Sequence, residues 1–167
     1  MWHTFFVVLH ILSVGVFIGL VTSTMIGTSL RKKVIGTPAE LASIRMGSVV
    51  APIMSMIGSI GVLVSGIVLT MMNYSFFPFD SIPWLALMQV IFLIIMAISG
   101  AILVPTGKKI LAMASAELAS PNAAKGASAE LRALVAKQYM TSHVAALLLL
   151  LNIILGASKS MMWVHPM

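Results

Sequence analysis

Three ionisable side chains interrupt the apolar runs of this chain: His10, His143 and Lys159. An ammonium near the centre of a membrane span costs roughly 3 kcal/mol even on the gentlest scale, so it faces a partner, a water-filled cavity or a cofactor, or snorkels to the headgroups. Imidazole ligates metals through a neutral ring nitrogen, and it also joins helices as an ordinary hydrogen-bonding group. Depth decides which of the three can act together. At ~1.5 Å per residue, His10 lies about five residues outside the centre of its run, Lys159 about seven and Gln89 about eight. They share one layer in the outer half, roughly 8–12 Å from the midplane. The second run meets that layer with Ser65 and Gly66. His143 lies near the inner end of the fourth run, about 20 Å from His10 along the normal, so the two cannot hold one metal.

The elements that must position these residues follow from composition. The chain has 167 residues, 60% apolar and only 8% charged. Four continuous apolar runs, at 4–29, 47–72, 84–105 and 141–163, each supply the ~20 residues needed to cross a hydrocarbon core. Lipid gives backbone groups no water, and the runs do not alternate, so they read as helices and not strands. The expected fold is all-α: one integral membrane domain over residues 1–167, an antiparallel four-helix bundle. The first run lacks a positive n-region and its basic cluster Arg31-Lys32-Lys33 follows it, so it reads as a retained span and not a signal peptide. The chain has no cysteine, which excludes disulfides and thiolate chemistry.

Charge sets the expected topology. Arg31, Lys32, Lys33 and Arg45 crowd the first loop, and Lys108, Lys109, Lys125, Arg132 and Lys137 the third, whereas the loop at 73–83 has Asp80 and no basic residue. By the positive-inside rule the first and third loops are cytoplasmic and both termini lie outside (N-out/C-out). Trp2, Trp84 and Trp163 then share the outer interface. The net charge of +6 belongs to this pattern and not to nucleic-acid binding. In the third loop Ser120-Pro121-Asn122 marks a break, and Ser128 opens a helix that continues into the fourth span. Its basic residues read as a solvated loop or as an anionic-lipid or partner contact.

Two chemistries fit the outer layer. The first is a b-type haem with His10 as axial ligand, in a layer that also holds Gln89 and Gly66. The second axial position is open, or filled by Lys159, His165, Met161 or Met162, and Lys159 can instead pair with a propionate. If the chain is an enzyme, this reading makes it a haem-dependent oxidoreductase. The second chemistry is copper. There are 14 methionines; Met1, Met71, Met72, Met161, Met162 and Met167 fall near the outer face, and with His3, His10 and His165 they offer thioether and imidazole ligands for Cu(I). His3 and His10 are seven apart, about 10 Å, so they line a path and do not chelate one ion.

Plainer readings stand beside these. His10 can hydrogen-bond a neighbouring helix, Lys159 can snorkel, and methionine fills apolar helices well. A contact with Tyr139 accounts for His143, and Asn152 is expected to hydrogen-bond across helices. The small residues Ala51, Ser55, Gly58, Ser59, Gly61 and Ser65 give the second span a close-packing surface. Pro52 and Pro105 are expected to bend or stop their helices. A third functional class follows from such surfaces: a non-catalytic subunit or assembly factor of a larger membrane complex, or a homo-oligomer. The spans carry no carboxylate, which argues against hydrolase chemistry and a proton relay.

The string His10-Ile-Leu-Ser-Val-Gly-Val-Phe-Ile-Gly19 resembles the opening helix of several small bacterial membrane proteins. With Gly66, Trp84, Pro105 and Lys159, the chain most resembles a predicted integral membrane protein family of unknown function. In pattern it is also similar to the membrane domain of copper resistance protein D and to HemJ-type protoporphyrinogen oxidases. The resemblance implies haem b and porphyrinogen oxidation in one direction, and copper movement across the inner membrane in the other. The chain departs from the pattern after Lys159, where Ser-Met-Met-Trp replaces the expected proline.

Overall fold

The computed structural model describes residues 1–73 and 83–162, and the side chains of all of these except 83 and 159–162. In order the elements are α1 (Trp2–Arg31), α2 (Pro38–Asn73), α3 (Pro83–Ile98), a π-helical turn (Ser99–Leu103), α4 (Val104–Leu118), a 3-10 turn (Pro121–Lys125) and α5 (Ala129–Met162). Helix α3, the π turn and α4 form one continuous rod, so four helices are long and apolar enough to cross a membrane. The fold is the expected all-α four-helix membrane bundle, with no strand among the described residues.

The helices outrun the apolar stretches, and always at the same end. Helix α2 starts before residue 47, the α3–α4 rod runs on past 105 to Leu118, and α5 begins twelve residues before 141. This end, which carries the two lysine- and arginine-rich connections, is called the basic end below. Neither internal proline stops its helix. Helix α2 passes through Pro52 without interruption. At Pro105 the ring would clash with the carbonyl four residues back and offers no N–H; the chain answers by widening into the π turn, where the Val104 N–H reaches the Ser99 carbonyl.

Helix α1 pairs with α2, and α3 with α5, as two antiparallel hairpins; α4 then packs on both α2 and α5 at the basic end. Within the spans much of the apolar surface stays open, including Val8, Ile11, Leu12 and Ile18 of α1 and Leu147, Leu150 and Ile154 of α5. This is the surface lipid covers. The tightly buried apolar cluster lies instead beyond the spans: Leu41 and Ile44 from α2, Ile110 and Ala114 from α4, Ala127 from the α4–α5 connection and Leu131 from the first turn of α5, flanked by Met113, Leu118, Leu134 and Val135. The position has a physical reason. Apolar contact between helices gains little in lipid, whereas outside it each buried Leu or Ile is worth about 1.5–3 kcal/mol.

Glu40 closes this end. Its side chain is 2% exposed, and four donors meet its carboxylate: Arg132 Nε and Nη2, both at 2.8 Å, and the backbone N–H groups of Gly36 at 2.9 Å and Ala127 at 3.2 Å. The sequence around it reads Thr37-Pro38-Ala39-Glu40, with Thr37 preceding Pro38 at the first helical position. The spacing is that of a capping box, but the carboxylate reaches one residue further back, to Gly36. Two glycines make room. Gly36 and Gly126 have φ of +81° and +74°, and a Cβ at Gly126 would lie 2.7 Å from Glu40 Oε2 and 2.8 Å from the Gly36 backbone. Ser128 caps α5 as expected: its Oγ accepts the Leu131 N–H and donates to Glu117, which also takes the Ser128 N–H.

The Arg132 fork, opposed by burial and aided by the two backbone donors, holds the Glu40 carboxyl at about 2 against an ordinary 4.5. A depressed carboxylate contributes stability that is complete above its unfolded value and lost as pH falls through its folded one. Thermal melts of the detergent-solubilised protein should therefore lose stability between pH 4.5 and about 2, and Glu40→Gln should remove much of that acid-dependent step. Arg132→Met strands the carboxylate and should lower the melting temperature at neutral pH by more than Glu40→Gln does; a melting temperature equal to that of the wild type would refute the assignment.

Candidate functional site

The α1–α2 hairpin is built on small residues that let the two backbones approach. Phe17 lies over Gly58, where an added Cβ would sit 3.2 Å from the ring, and Ser13 lies over Gly61, where a Cβ would come within 2.9 Å of Ser13 Cβ and closer still to its hydroxyl. The Ser13 hydroxyl turns back to the Leu9 carbonyl at 2.7 Å. One turn further from the basic end, His10 meets Ser65 and Gly66. At the far end Asn73 Nδ2 lies 3.4 Å from His3 Nε2. The small-residue face expected on the second span is thus the α1 interface.

His10 is half-buried, and its Nδ1 lies 2.9 Å from Ser65 Oγ, which is fully buried. The ring's protonation follows from the next link. Ser65 Oγ lies 2.5 Å from the Gly61 carbonyl oxygen, and a carbonyl only accepts, so the single hydroxyl proton points there. Ser65 therefore has only a lone pair to offer His10, and Nδ1 must carry the proton. In the neutral ring this leaves Nε2 unprotonated, with a free lone pair. At the Cε1 edge, between the two nitrogens, stands Gly66, whose added Cβ would lie 3.7 Å from Cε1. No side chain crowds the ring from that residue.

The other expected members of the layer belong to the second hairpin. Met88 of α3 packs on Gly156 of α5, where a Cβ would lie 3.1 Å from Met88 Cε. That contact places Gln89 opposite the same turn of α5. Lys159 follows Gly156 by three residues, which puts its backbone level with the first turn of α3; its side chain, like those of Met161 and Met162, lies outside the described set, and His165 lies outside the described residues altogether. No hydrogen bond joins His10 to Gln89. Instead Gln89 Oε1 is buried without a hydrogen-bond partner, and so is Asn152 Oδ1. Among the described residues nothing donates to Asn152 Oδ1, so that atom does not make the cross-helix bond expected of Asn152. Such an oxygen in a low-dielectric interior costs ~1–3 kcal/mol unless something donates to it.

Away from this layer, His143 donates from Nδ1 to the Tyr139 carbonyl one turn back, at 2.7 Å, the local contact expected of it. Among the described residues no three His, Asp or Glu side chains gather as metal ligands. The Ser65 link that fixes the His10 tautomer was invisible to spacing alone, because it depends on which residue of α2 falls opposite His10.

Gly61→Ala should force α1 and α2 apart, since neither Ser13 atom can retreat without breaking its bond to Leu9. Loss of about 1–3 kcal/mol, read as a lowered melting temperature, is expected, and Ser13→Ala should restore part of it; an unchanged Gly61→Ala melt would show that the hairpin does not pack as described. No protein-family model, no curated protein and no solved structure matches the chain.

Proposed function

We propose that the chain is a membrane-embedded b-type haem protein with His10 Nε2 as an axial ligand, serving electron transfer or membrane redox chemistry. One observation carries this reading: the Gly61–Ser65–His10 chain of hydrogen bonds commits the imidazole to the tautomer in which Nε2 is a ready ligand. Histidine ligands of metals are held this way, the second ring N–H donating to a fixed acceptor that orients the ring and raises its basicity. Gly66 supports it by leaving the flank of the ring open. When bound, haem supplies a one-electron ferric/ferrous couple whose potential follows its axial ligands and their hydrogen bonds. Lys159, Met161 or Met162 at the end of α5, or His165 further along the sequence, would supply a second ligand. The chain would lie in a bacterial cytoplasmic membrane with both termini outside, as its basic connections suggest.

The test is an absorption spectrum of the purified protein after expression with added haem. A Soret band and a pyridine haemochrome of b type are expected. His10→Ala should abolish both. Ser65→Ala should keep the band but weaken haem affinity about 10–100-fold and raise the midpoint potential, because a less basic imidazole favours ferric iron less. Absence of any band in the wild-type protein overturns the proposal. Stoichiometric Cu(I) in its place would point to copper handling, and a stoichiometric protein partner with neither would point to a subunit or assembly role.

A further inference from the structure

Every lysine and arginine of the chain except Lys159 lies at the basic end, and the acids there are largely committed. Glu40 is taken by Arg132, Glu117 by Ser128, and Glu130 lies 3.9 Å from Lys109 in an exposed pair. Arg31 differs from its basic neighbours in being held in place with no acid to hold it. It is the last residue of α1 and half-buried. Its Nε donates to Ser43 Oγ of α2 at 3.3 Å, and its guanidinium lies over the Tyr139 ring of α5, 5.4 Å from the centroid. The Ser43 hydroxyl proton is spent on the Glu40 carbonyl, so Ser43 receives from Arg31 and not the reverse. Gly47 leaves the space beside Nη2 clear of a side chain; a Cβ there would lie 3.7 Å from Nη2.

Three helices therefore fix one guanidinium while, among the described residues, no carboxylate lies within ion-pair distance of it and no acceptor takes its two NH2 groups. A guanidinium stacked on an aromatic face loses little entropy on binding, and its planar fork matches a phosphate. Its depth names the source of the phosphate. Leu30, Met46 and Met140, exposed by 57%, 70% and 74%, each adjoin the end of an apolar run, at 29, 47 and 141. Lys32 and Lys33 follow immediately and are exposed. Arg31 sits at the step between acyl chains and water, where lipid headgroups lie.

We propose that Arg31, seated on Tyr139 and Ser43, is a binding site for the phosphate of an anionic phospholipid at the junction of α1, α2 and α5. The lipid's acyl chains would cover the exposed methionines, and the surrounding lysines would favour a headgroup with net negative charge.

The test uses the full-length protein, delipidated in detergent and titrated with phosphatidylglycerol, phosphatidylcholine or inorganic phosphate, with bound lipid counted by native mass spectrometry and stability followed by thermal melting. Phosphatidylglycerol should bind and stabilise in preference to phosphatidylcholine, and inorganic phosphate at the same concentration should not compete. Arg31→Gln should weaken phosphatidylglycerol binding about tenfold, the loss of one charge-assisted contact. Arg31→Lys, which keeps the charge but not the fork or the stack, should lose most of the same affinity. Equal binding of the two lipids, displacement by inorganic phosphate, or full affinity in Arg31→Gln each overturns the site. If the Arg31 variants do not fold, the wild-type competition between the three probes still decides.

Discussion

The buried carboxylate of Glu40 is the constraint on which the arrangement of the hairpins rests. Each hairpin has its own reasons to form, but the α1–α2 connection, the α4–α5 connection and the first turn of α5 are drawn to one point because one anion must be satisfied there. Its four donors come from Gly36, Ala127 and Arg132, and the glycine conformations at 36 and 126 exist to let those segments touch. A buried ion pair is not in itself a large gain over a well-packed apolar residue. What it supplies is register: this docking of the connections brings four donors from three segments onto one carboxylate. The apolar cluster of Leu41, Ile44, Ile110, Ala114, Ala127 and Leu131 then provides the adhesion.

This division of labour explains why burial inside the spans is low. Lipid is as apolar as leucine, so within the membrane only close backbone approach and polar links distinguish one helix neighbour from another. The α1–α2 hairpin uses both, with Gly58 and Gly61 receiving Phe17 and Ser13, and His10 tied to Ser65. The α3–α5 hairpin uses the Met88–Gly156 contact but leaves Gln89 and Asn152 with unmet oxygens. Among the described residues, the buried oxygens without a donor thus lie in the second hairpin.

Much of this was legible in the sequence, and the limits have physical causes. Four spans followed from run length, since lipid permits little else. The break at Ser120-Pro121-Asn122 and the Ser128 cap followed from turn and cap chemistry. Of the bend or stop expected at the prolines, the stop does not occur: α2 runs through Pro52, and at Pro105 the rod takes up the ring in a π turn. The role of Glu40 was not legible, although Thr37-Pro38-Ala39-Glu40 is a readable helix start; its partner Arg132 is 92 residues away, and no local pattern encodes such a pairing. For the site, depth correctly set Ser65 and Gly66 level with His10. It could not say which helices are neighbours, and so grouped His10 with Gln89, which belongs to the other hairpin.

That separation of 92 residues has a consequence for how the protein is made. Everything that joins α1 to α2, including the His10–Ser65 bond, is encoded by residue 73, whereas the donors Ala127 and Arg132 emerge from the ribosome only after the third span. The first hairpin can thus enter the bilayer as a finished unit while its carboxylate still faces water at the basic end, solvated and without cost. Burial of Glu40 thus waits on the synthesis of Ala127 and Arg132, and a chain arrested before Arg132 would lack the guanidinium that pairs with it.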